Sequence, residues 1–284
     1  MFSFGFRPLF LLACVWAAVA MILWIGMLSG RVALPTVFDP VTWHAHEFLF
    51  GYLSAVIAGF LLTAVPNWTG RLPVVGWPLA GLCVLWIAGR LAVGASAYLP
   101  AGVVGVADLS FLVALWAVIF REIVAGKKWA NLPVLILLAL FIAADALFHL
   151  EAVQGGSASQ GYGLRLGLGM ALVLIMLIGG KVTPSFTRNW LVKRGDTVLP
   201  TPPMQRYDKA VIVVSAATLL AWVARPDAGL VGAALLIIAG LHSVRLWRWQ
   251  GVRALAEPLV WVLHAGYAFV PLGALAGGVS IVFP

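Results

Sequence analysis

Charged residues are scarce in this chain. Only 10% of its 284 residues are charged, whereas 63% are hydrophobic. A soluble domain contains about 25% charged residues, so the composition excludes a soluble globular protein and indicates an integral membrane protein. Cysteine is also rare. Cys14 and Cys83 each lie within an apolar run, and their spacing excludes a disulfide framework and a thiolate metal site.

The sequence motifs of soluble enzymes are absent as well. The chain contains no phosphate-binding glycine loop with lysine, no nucleophile elbow and no HExxH motif. The formal charge is +8, which in a soluble protein would suggest nucleic acid binding. Here the basic residues lie between apolar runs, so they indicate orientation in a membrane. We therefore expect membrane lipids, and not nucleic acid, as partners.

The apolar runs predict an all-α fold, a polytopic bundle of about nine transmembrane helices. The predicted spans are 8–28, 42–65, 77–93, 101–120, 132–153, 162–180, 209–224, 229–244 and 257–282. Asp39 followed by Pro40 predicts the start of the second helix, and Pro66 predicts its end. Most of the 18 Lys and Arg residues lie in loops on the N-terminal side. This asymmetry predicts a cytoplasmic N-terminus.

Similar helix ends suggest an internal repeat. The stretches 65–71 and 183–188 both contain Pro, a small polar residue, an aromatic residue, Thr and then Arg. The similarity returns after four spans, as in membrane proteins built from parallel repeats. It predicts a single transmembrane domain over 1–284, with repeats at 1–125 and 126–250 and the start of a third at 251–284.

The stretch Trp43–Glu47 (WHAHE) places two imidazoles and a carboxylate at the head of the second span. Ionisable groups inside a membrane are costly and commonly mark functional sites. His149 is predicted near the same side of the membrane, so it could meet His44 and His46. Asp145 lies four residues before His149 and shares its helical face. A carboxylate beside an imidazole is the usual way in which a metal-ligating histidine is oriented.

Helical geometry places His44 on one face with Glu47 and Gly51, and His46 about 160° away. Because small residues let helices approach closely, we expect the His44 face to look into the bundle. His264 lies about two turns into the ninth span, on the cytoplasmic side. Any of these histidines could instead be only an interhelical hydrogen-bond partner.

Three motifs resemble those of the NnrS family. They are Trp43–Glu47 with Phe50, Gly51 and Ala58–Gly70 (AGFLLTAVPNWTG); Gly179–Asn189 (GGKVTPSFTRN); and Trp261–Tyr267 (WVLHAGY). The resemblance implies a bacterial inner-membrane protein that binds haem b and copper. It also implies nitric oxide as the small-molecule ligand and a role in tolerance of nitrosative stress, often alongside denitrification. We further expect that this chain lacks the last spans of the family, which would carry additional histidines.

The resemblance and the residue pattern together predict the site residues. The cofactor-binding residues are His44, His46, His149 and His264; the metal ligands are His44, His46 and His149, supported by Glu47 and Asp145. Catalysis, sensing and protection are all compatible with this assignment. The first alternative is a proton- or ion-coupled transporter without a cofactor, in which Glu47 and Asp145 handle the ions. The second is a structural or regulatory membrane subunit.

Overall fold

Long helices make up most of the chain. A computed structural model describes residue 2 and residues 4–283. The helices are α1 (Phe6–Leu28), α2 (Pro40–Thr69), α3 (Trp77–Gly94), α4 (Ala101–Ala125), α5 (Leu132–Val153), α6 (Tyr162–Lys193), α7 (Arg206–Ala224), α8 (Gly229–Arg248) and α9 (Pro258–Val282). Within the described residues nine helices are long and apolar enough to cross a membrane, so the predicted all-α membrane fold is confirmed.

The chain divides into two compact units at a point within α6. The first unit runs to Leu168 and the second begins at Gly169. In the first unit, α2 packs against α1 and α4, while α3 packs on α4 and α4 on α5. The apolar stretch of α2 is 56% buried, against 17% for α1, so α2 lies at the centre of this unit. In the second unit, α8 packs against α7 and α9.

Asp39 caps the start of α2, as the sequence predicts. Its Oδ1 accepts hydrogen bonds from the backbone N–H groups of Val41 (2.9 Å) and Thr42 (3.1 Å), which would otherwise have no partner. Pro40 occupies the first turn, where a missing N–H costs nothing. This cap sets the register in which the following residues of α2 enter the bundle.

Prolines inside α2 and α6 do not end these helices, and for Pro66 this is contrary to the sequence-based prediction. The second helix continues past Pro66 to Thr69, and the sixth continues through Pro184 to Lys193. The predicted ends at residues 65 and 180 are therefore wrong, and much of the predicted loop 181–208 is helical. Thr69 and Thr187, which lie beyond these prolines, are buried, so packing stabilises each helix past its proline although one helical hydrogen bond is lost.

Candidate metal centre

A π-helical turn at Glu47–Tyr52 interrupts α2. Such a turn inserts an extra residue into the helix, redirects the side chains around it and is frequent at functional sites. His46 and Glu47 lie at its start, and both side chains are fully buried. Glu47 contacts Trp16 of α1 and Arg90 of α3. His46 faces α4 and α5, so consecutive residues of one helix connect four neighbouring helices.

Two imidazoles and two carboxylates meet at the centre of the first unit. They are His46 of α2, Asp108 of α4, and Asp145 and His149 of α5, and their ligand atoms all lie within 4.8 Å of one another. The His46 Nε2 atom is 2.9 Å from Asp108 Oδ2 and 3.3 Å from Asp145 Oδ1. The His149 Nε2 atom is 3.0 Å from Asp108 Oδ2 and 3.8 Å from Asp145 Oδ1. We call these four residues the His–Asp cluster.

Several polar atoms of the His–Asp cluster have no hydrogen bond among the described residues. They are Nε2 of His46 and both carboxylate oxygens of Asp145. The side chains of these two residues are 0% and 1% exposed, so bulk water does not solvate them. A buried carboxylate without a donor is very costly unless a cation or a proton compensates it. The four ligand atoms are close enough to hold a cation, and a bound cation would replace the protons by which the imidazole nitrogens contact Asp108 at 2.9 and 3.0 Å.

Arg90 holds the carboxylates around the cluster in place. Its Nη1 donates to Glu47 Oε2 at 2.8 Å, and its Nη2 contacts Asp108 Oδ1. Trp16 Nε1 donates to the same Glu47 oxygen at 2.7 Å. Asp108 thus uses one oxygen for Arg90 and the other for the two imidazoles. Buried charges of this kind fix the orientation of metal ligands.

The charges of this buried centre do not cancel. Glu47, Asp108 and Asp145 supply three negative charges and Arg90 supplies one positive charge, which leaves a formal charge of −2 when the imidazoles are neutral. All four side chains are at most 5% exposed. A divalent cation would neutralise the centre, and so would two protons on the imidazoles.

Aromatic rings surround the His–Asp cluster. The His46 ring lies 5.2 Å from Phe148, 5.5 Å from Phe50 and 5.9 Å from Phe38, measured between centroids. This packing fits a single ion and not a macrocycle. On the other side, His149 lines a mostly apolar cavity of about 320 Å³ between the α5 end and the loops before α2 and α4. A small uncharged molecule could therefore approach the cluster from the His149 side.

His44 does not belong to the His–Asp cluster. Its ring stacks on Trp24 of α1 at 3.7 Å, with Phe48 at 4.4 Å, and it is only partly buried. Its Nδ1 has no hydrogen-bond partner among the described residues. The small residues predicted on its face, including Gly51 and Ala55, are buried as expected, but His46 is the histidine that reaches the polar centre.

His264 lies in the second unit, beside a different cavity. Thr187 donates its hydroxyl proton to the Thr183 carbonyl, so the 2.8 Å contact from His264 Nε2 to Thr187 Oγ1 requires the proton on Nε2. This leaves the Nδ1 lone pair, which has no partner among the described residues. Gly251 leaves space beside this nitrogen, since a Cβ there would lie 2.5 Å from Nδ1. A hydrogen bond on the opposite nitrogen is typical of a ligating histidine.

The cavity beside His264 has a volume of about 790 Å³. Its walls include Trp247, Trp261, Arg248 and Arg253. This volume is within the range of cofactor pockets, about 300–1,000 Å³. Both guanidinium groups already have partners, since Arg253 Nη2 pairs with Asp196 Oδ1 and Arg248 Nη2 donates to Gln205 Oε1, each at 3.1 Å. A planar apolar group that carries carboxylates would compete for these groups.

Comparison with protein families decides the identity of the chain. The family model described as "NnrS protein" matches residues 1–284. The chain belongs to the NnrS family. The resemblance inferred from its motifs is thereby confirmed. Neither the curated proteins nor the solved structures include a match to this NnrS-family chain.

Two members of the buried centre are not predicted from the sequence. Arg90 and Asp108 lie within the predicted spans 77–93 and 101–120, and the sequence pattern singles out neither. Both side chains are buried, with exposed fractions of 5% for Arg90 and 3% for Asp108. The available signal is a charge inside an apolar run, which in a membrane protein indicates a functional or structural polar centre. Spacing along the chain cannot show that α3 and α4 turn these charges toward α2.

Proposed function

We propose that this NnrS-family chain binds copper and haem b in the bacterial inner membrane and protects the cell against nitric oxide, in some settings alongside denitrification. The observation that supports the proposal most directly is the His–Asp cluster, a buried centre with a formal charge of −2 and four convergent ligands. Family membership supports the choice of cofactors.

The donor set of the cluster suits copper(II). His46 and His149 offer imidazole nitrogen, which copper favours, and Asp108 and Asp145 offer carboxylate oxygen. Divalent copper stands at the top of the affinity order among first-row metals. Glu47 and Arg90 hold Asp108 and His46 in orientation. Iron(II) and zinc(II) accept the same donors, so metal analysis is part of the test.

The His264 cavity fits the haem. His264 would hold the haem iron through Nδ1, and Arg248 and Arg253 would hold its propionates. When bound, haem iron supplies a site for nitric oxide and copper supplies a one-electron redox centre. The protein residues position these groups, and the apolar cavity next to His149 admits a small uncharged ligand to the cluster.

The test is metal and haem analysis of the purified full chain and its variants. We expect His46→Ala and His149→Ala to lose copper while retaining haem, and His264→Ala to lose haem while retaining copper. His44→Ala is the matched control, because His44 lies outside the cluster, and it should keep both. Full copper occupancy in His46→Ala would contradict the ligand assignment.

A growth assay tests the physiological role. A bacterial strain lacking its own NnrS-family protein is complemented with the wild-type chain, His44→Ala or His46→Ala and exposed to a nitric oxide donor. We expect protection by the wild-type chain and by His44→Ala only. Equal protection by His46→Ala would separate the cluster from nitric oxide tolerance.

The cluster also favours one alternative, a proton- or ion-coupled transporter. A carboxylate without a donor, such as Asp145, can bind a transported cation or proton as well as a resident metal. Purified protein without metal or colour that carries out ion flux in liposomes, with loss of flux in Asp145→Asn, would support this alternative against the copper and haem proposal.

A further inference from the structure

The second unit contains a buried polar network that neither cofactor site uses. It comprises Asp208 and Ser215 of α7, His242 and Arg245 of α8, and Tyr267 of α9. All five side chains are at most 3% exposed. A fully connected buried network of this kind is rigid, so the position of each proton follows from the available donors and acceptors.

The proton on the His242 ring can be assigned from its neighbours. Ser215 donates its own hydroxyl proton to the Val211 carbonyl at 2.7 Å. The 2.9 Å contact between Ser215 Oγ and His242 Nε2 therefore requires the proton on Nε2. This tautomer leaves a lone pair on Nδ1, which is 2.9 Å from the Tyr267 hydroxyl. Tyr267 must then donate its proton to His242 Nδ1.

Arg245 directs the Tyr267 hydroxyl toward His242. Its Nη1 donates to Tyr267 Oη at 2.6 Å and occupies the acceptor side of that oxygen. Its Nε donates to Asp208 Oδ1 at 2.8 Å, so the guanidinium charge is balanced locally. The result is a phenol whose single proton points at a neutral imidazole in a site without water access.

Trp249 connects this pair to the His264 cavity. Its ring centroid is 4.6 Å from Tyr267 and 6.4 Å from His264, and the side chain is 1% exposed. Tryptophan and tyrosine are the side chains that most readily lose one electron. The aromatic rings therefore form a short path from the wall of the cavity to the Tyr267–His242 pair.

We propose that Tyr267 and His242 form a proton-coupled one-electron relay, with Trp249 as the connection to the His264 cavity. A one-electron oxidant takes an electron from Tyr267 through Trp249 and is itself reduced by one electron. The Tyr267 O–H bond breaks and an N–H bond forms at His242 Nδ1. The products are a neutral tyrosyl radical and an imidazolium, and re-reduction of the radical returns the proton to the phenol.

The relay does not depend on the proposed cofactors, because any one-electron oxidant at the cavity can accept the electron from Tyr267. Its test accordingly uses an external oxidant, a photogenerated ruthenium(III) polypyridyl complex, on the full chain in detergent. Electron paramagnetic resonance then detects the radical, and ring-deuterated tyrosine identifies it as a tyrosyl. A failed relay and a failed cofactor assignment thus give separate results.

Variants assign the radical to its residue. Tyr267→Phe should abolish the tyrosyl signal, and His242→Gln should lower its yield by about a hundredfold, because the proton acceptor is lost. Tyr207→Phe is the matched control in the same unit. The Tyr207 hydroxyl donates to the Leu241 carbonyl at 2.8 Å, and a carbonyl does not take up a proton, so this variant should leave the signal unchanged.

A measurement on the wild-type protein keeps the test independent of variant folding. Electron–nuclear double resonance should detect a hydrogen-bonded proton on an imidazole nitrogen next to the radical, and radical formation should be slower in D₂O. A radical that persists in Tyr267→Phe, or a wild-type radical without a coupled imidazole proton, would overturn the proposal.

Discussion

Asp145 lies in an environment that a carboxylate tolerates only when a cation or a proton compensates its charge. Neither of its oxygens has a hydrogen bond among the described residues, and its side chain is 1% exposed. The nearest charges include a second carboxylate, Asp108, which already pairs with Arg90. The excess negative charge is therefore concentrated on Asp145, so a change at this residue should alter both the affinity for the proposed metal and the stability of the metal-free protein.

Asp145→Asn should separate these two effects. We expect copper affinity to fall by about a hundredfold, because a charged ligand is lost. The metal-free protein should be at least as stable as wild type, since the amide removes an uncompensated buried charge. Copper titration against a chelator and thermal unfolding of the metal-free form measure the two quantities. Asp227→Asn, in an exposed loop, is the control, and unchanged copper affinity in Asp145→Asn would contradict the assignment.

At the scale of single elements, α2 determines the geometry of the centre. Its cap at Asp39 sets the register, and its π-turn allows His46 and Glu47 to face different neighbours. Gly51 in that turn leaves the space through which Arg90 reaches Glu47. A Cβ at this position would lie 2.6 Å from Glu47 Oε2 and would overlap the Arg90 guanidinium.

Gly51→Ala should break the Arg90–Glu47 pair. We expect a loss of about 3 kcal/mol in unfolding free energy, because separating a buried ion pair leaves charges without partners. Gly81→Ala in α3 is the matched control: within the described part of the chain, no atom outside its own stretch of helix lies within 4 Å of its added Cβ, so it should be neutral or stabilising by about 1 kcal/mol. Denaturant unfolding in detergent compares the two. Equal stability of both variants would show that the turn can accommodate a side chain.

Asp39→Ala should destabilise the start of α2 by about 1 kcal/mol, the usual cost of losing a helix cap. Partial burial raises the pKa of Asp39, but the hydrogen bonds from Thr42 and Val41 lower it by more than burial raises it. The pKa of Asp39 is therefore below the ordinary value of 3.8. The stabilisation is therefore present above that value and is lost as the pH falls through the lower folded-state pKa. Asp39→Asn should keep the cap without this pH dependence, which thermal unfolding across acidic pH would measure.

For the molecule as a whole, orientation in the membrane decides from which side of the membrane each site can be reached. The basic loops predict a cytoplasmic N-terminus, which would place the loop before α6 outside and the loop after it inside. Ser157 and Thr197 are exposed residues of these two loops.

Single cysteines test this orientation. Ser157→Cys and Thr197→Cys are introduced into a chain from which Cys14 and Cys83 have been replaced. An impermeant thiol reagent added to intact cells, or to spheroplasts, should label position 157 and not position 197, and lysis should make both reactive. The reverse pattern would invert the assignment and place the His264 cavity outside.

Much of the fold could be predicted because the membrane imposes a simple rule. A backbone in hydrocarbon must pair with itself, so apolar runs of sufficient length are helices, and nine of them were predicted and found among the described residues. The predicted ends at Pro66 and near residue 180 were wrong, because each helix continues past its proline. Packing of the turns beyond the prolines, which include the buried Thr69 and Thr187, is not visible in the local sequence.

The sequence by itself determined the membrane class, the number of spans and the family, because hydropathy and motif identity are properties of the chain in order. It also pointed to His46, Asp145 and His149 as chemically costly residues. Only the tertiary structure brought Asp108 and Arg90 to them and left His44 against Trp24. The physical reason is that a π-turn and the packing of five helices decide which side chains meet, and neither follows from regular helical spacing.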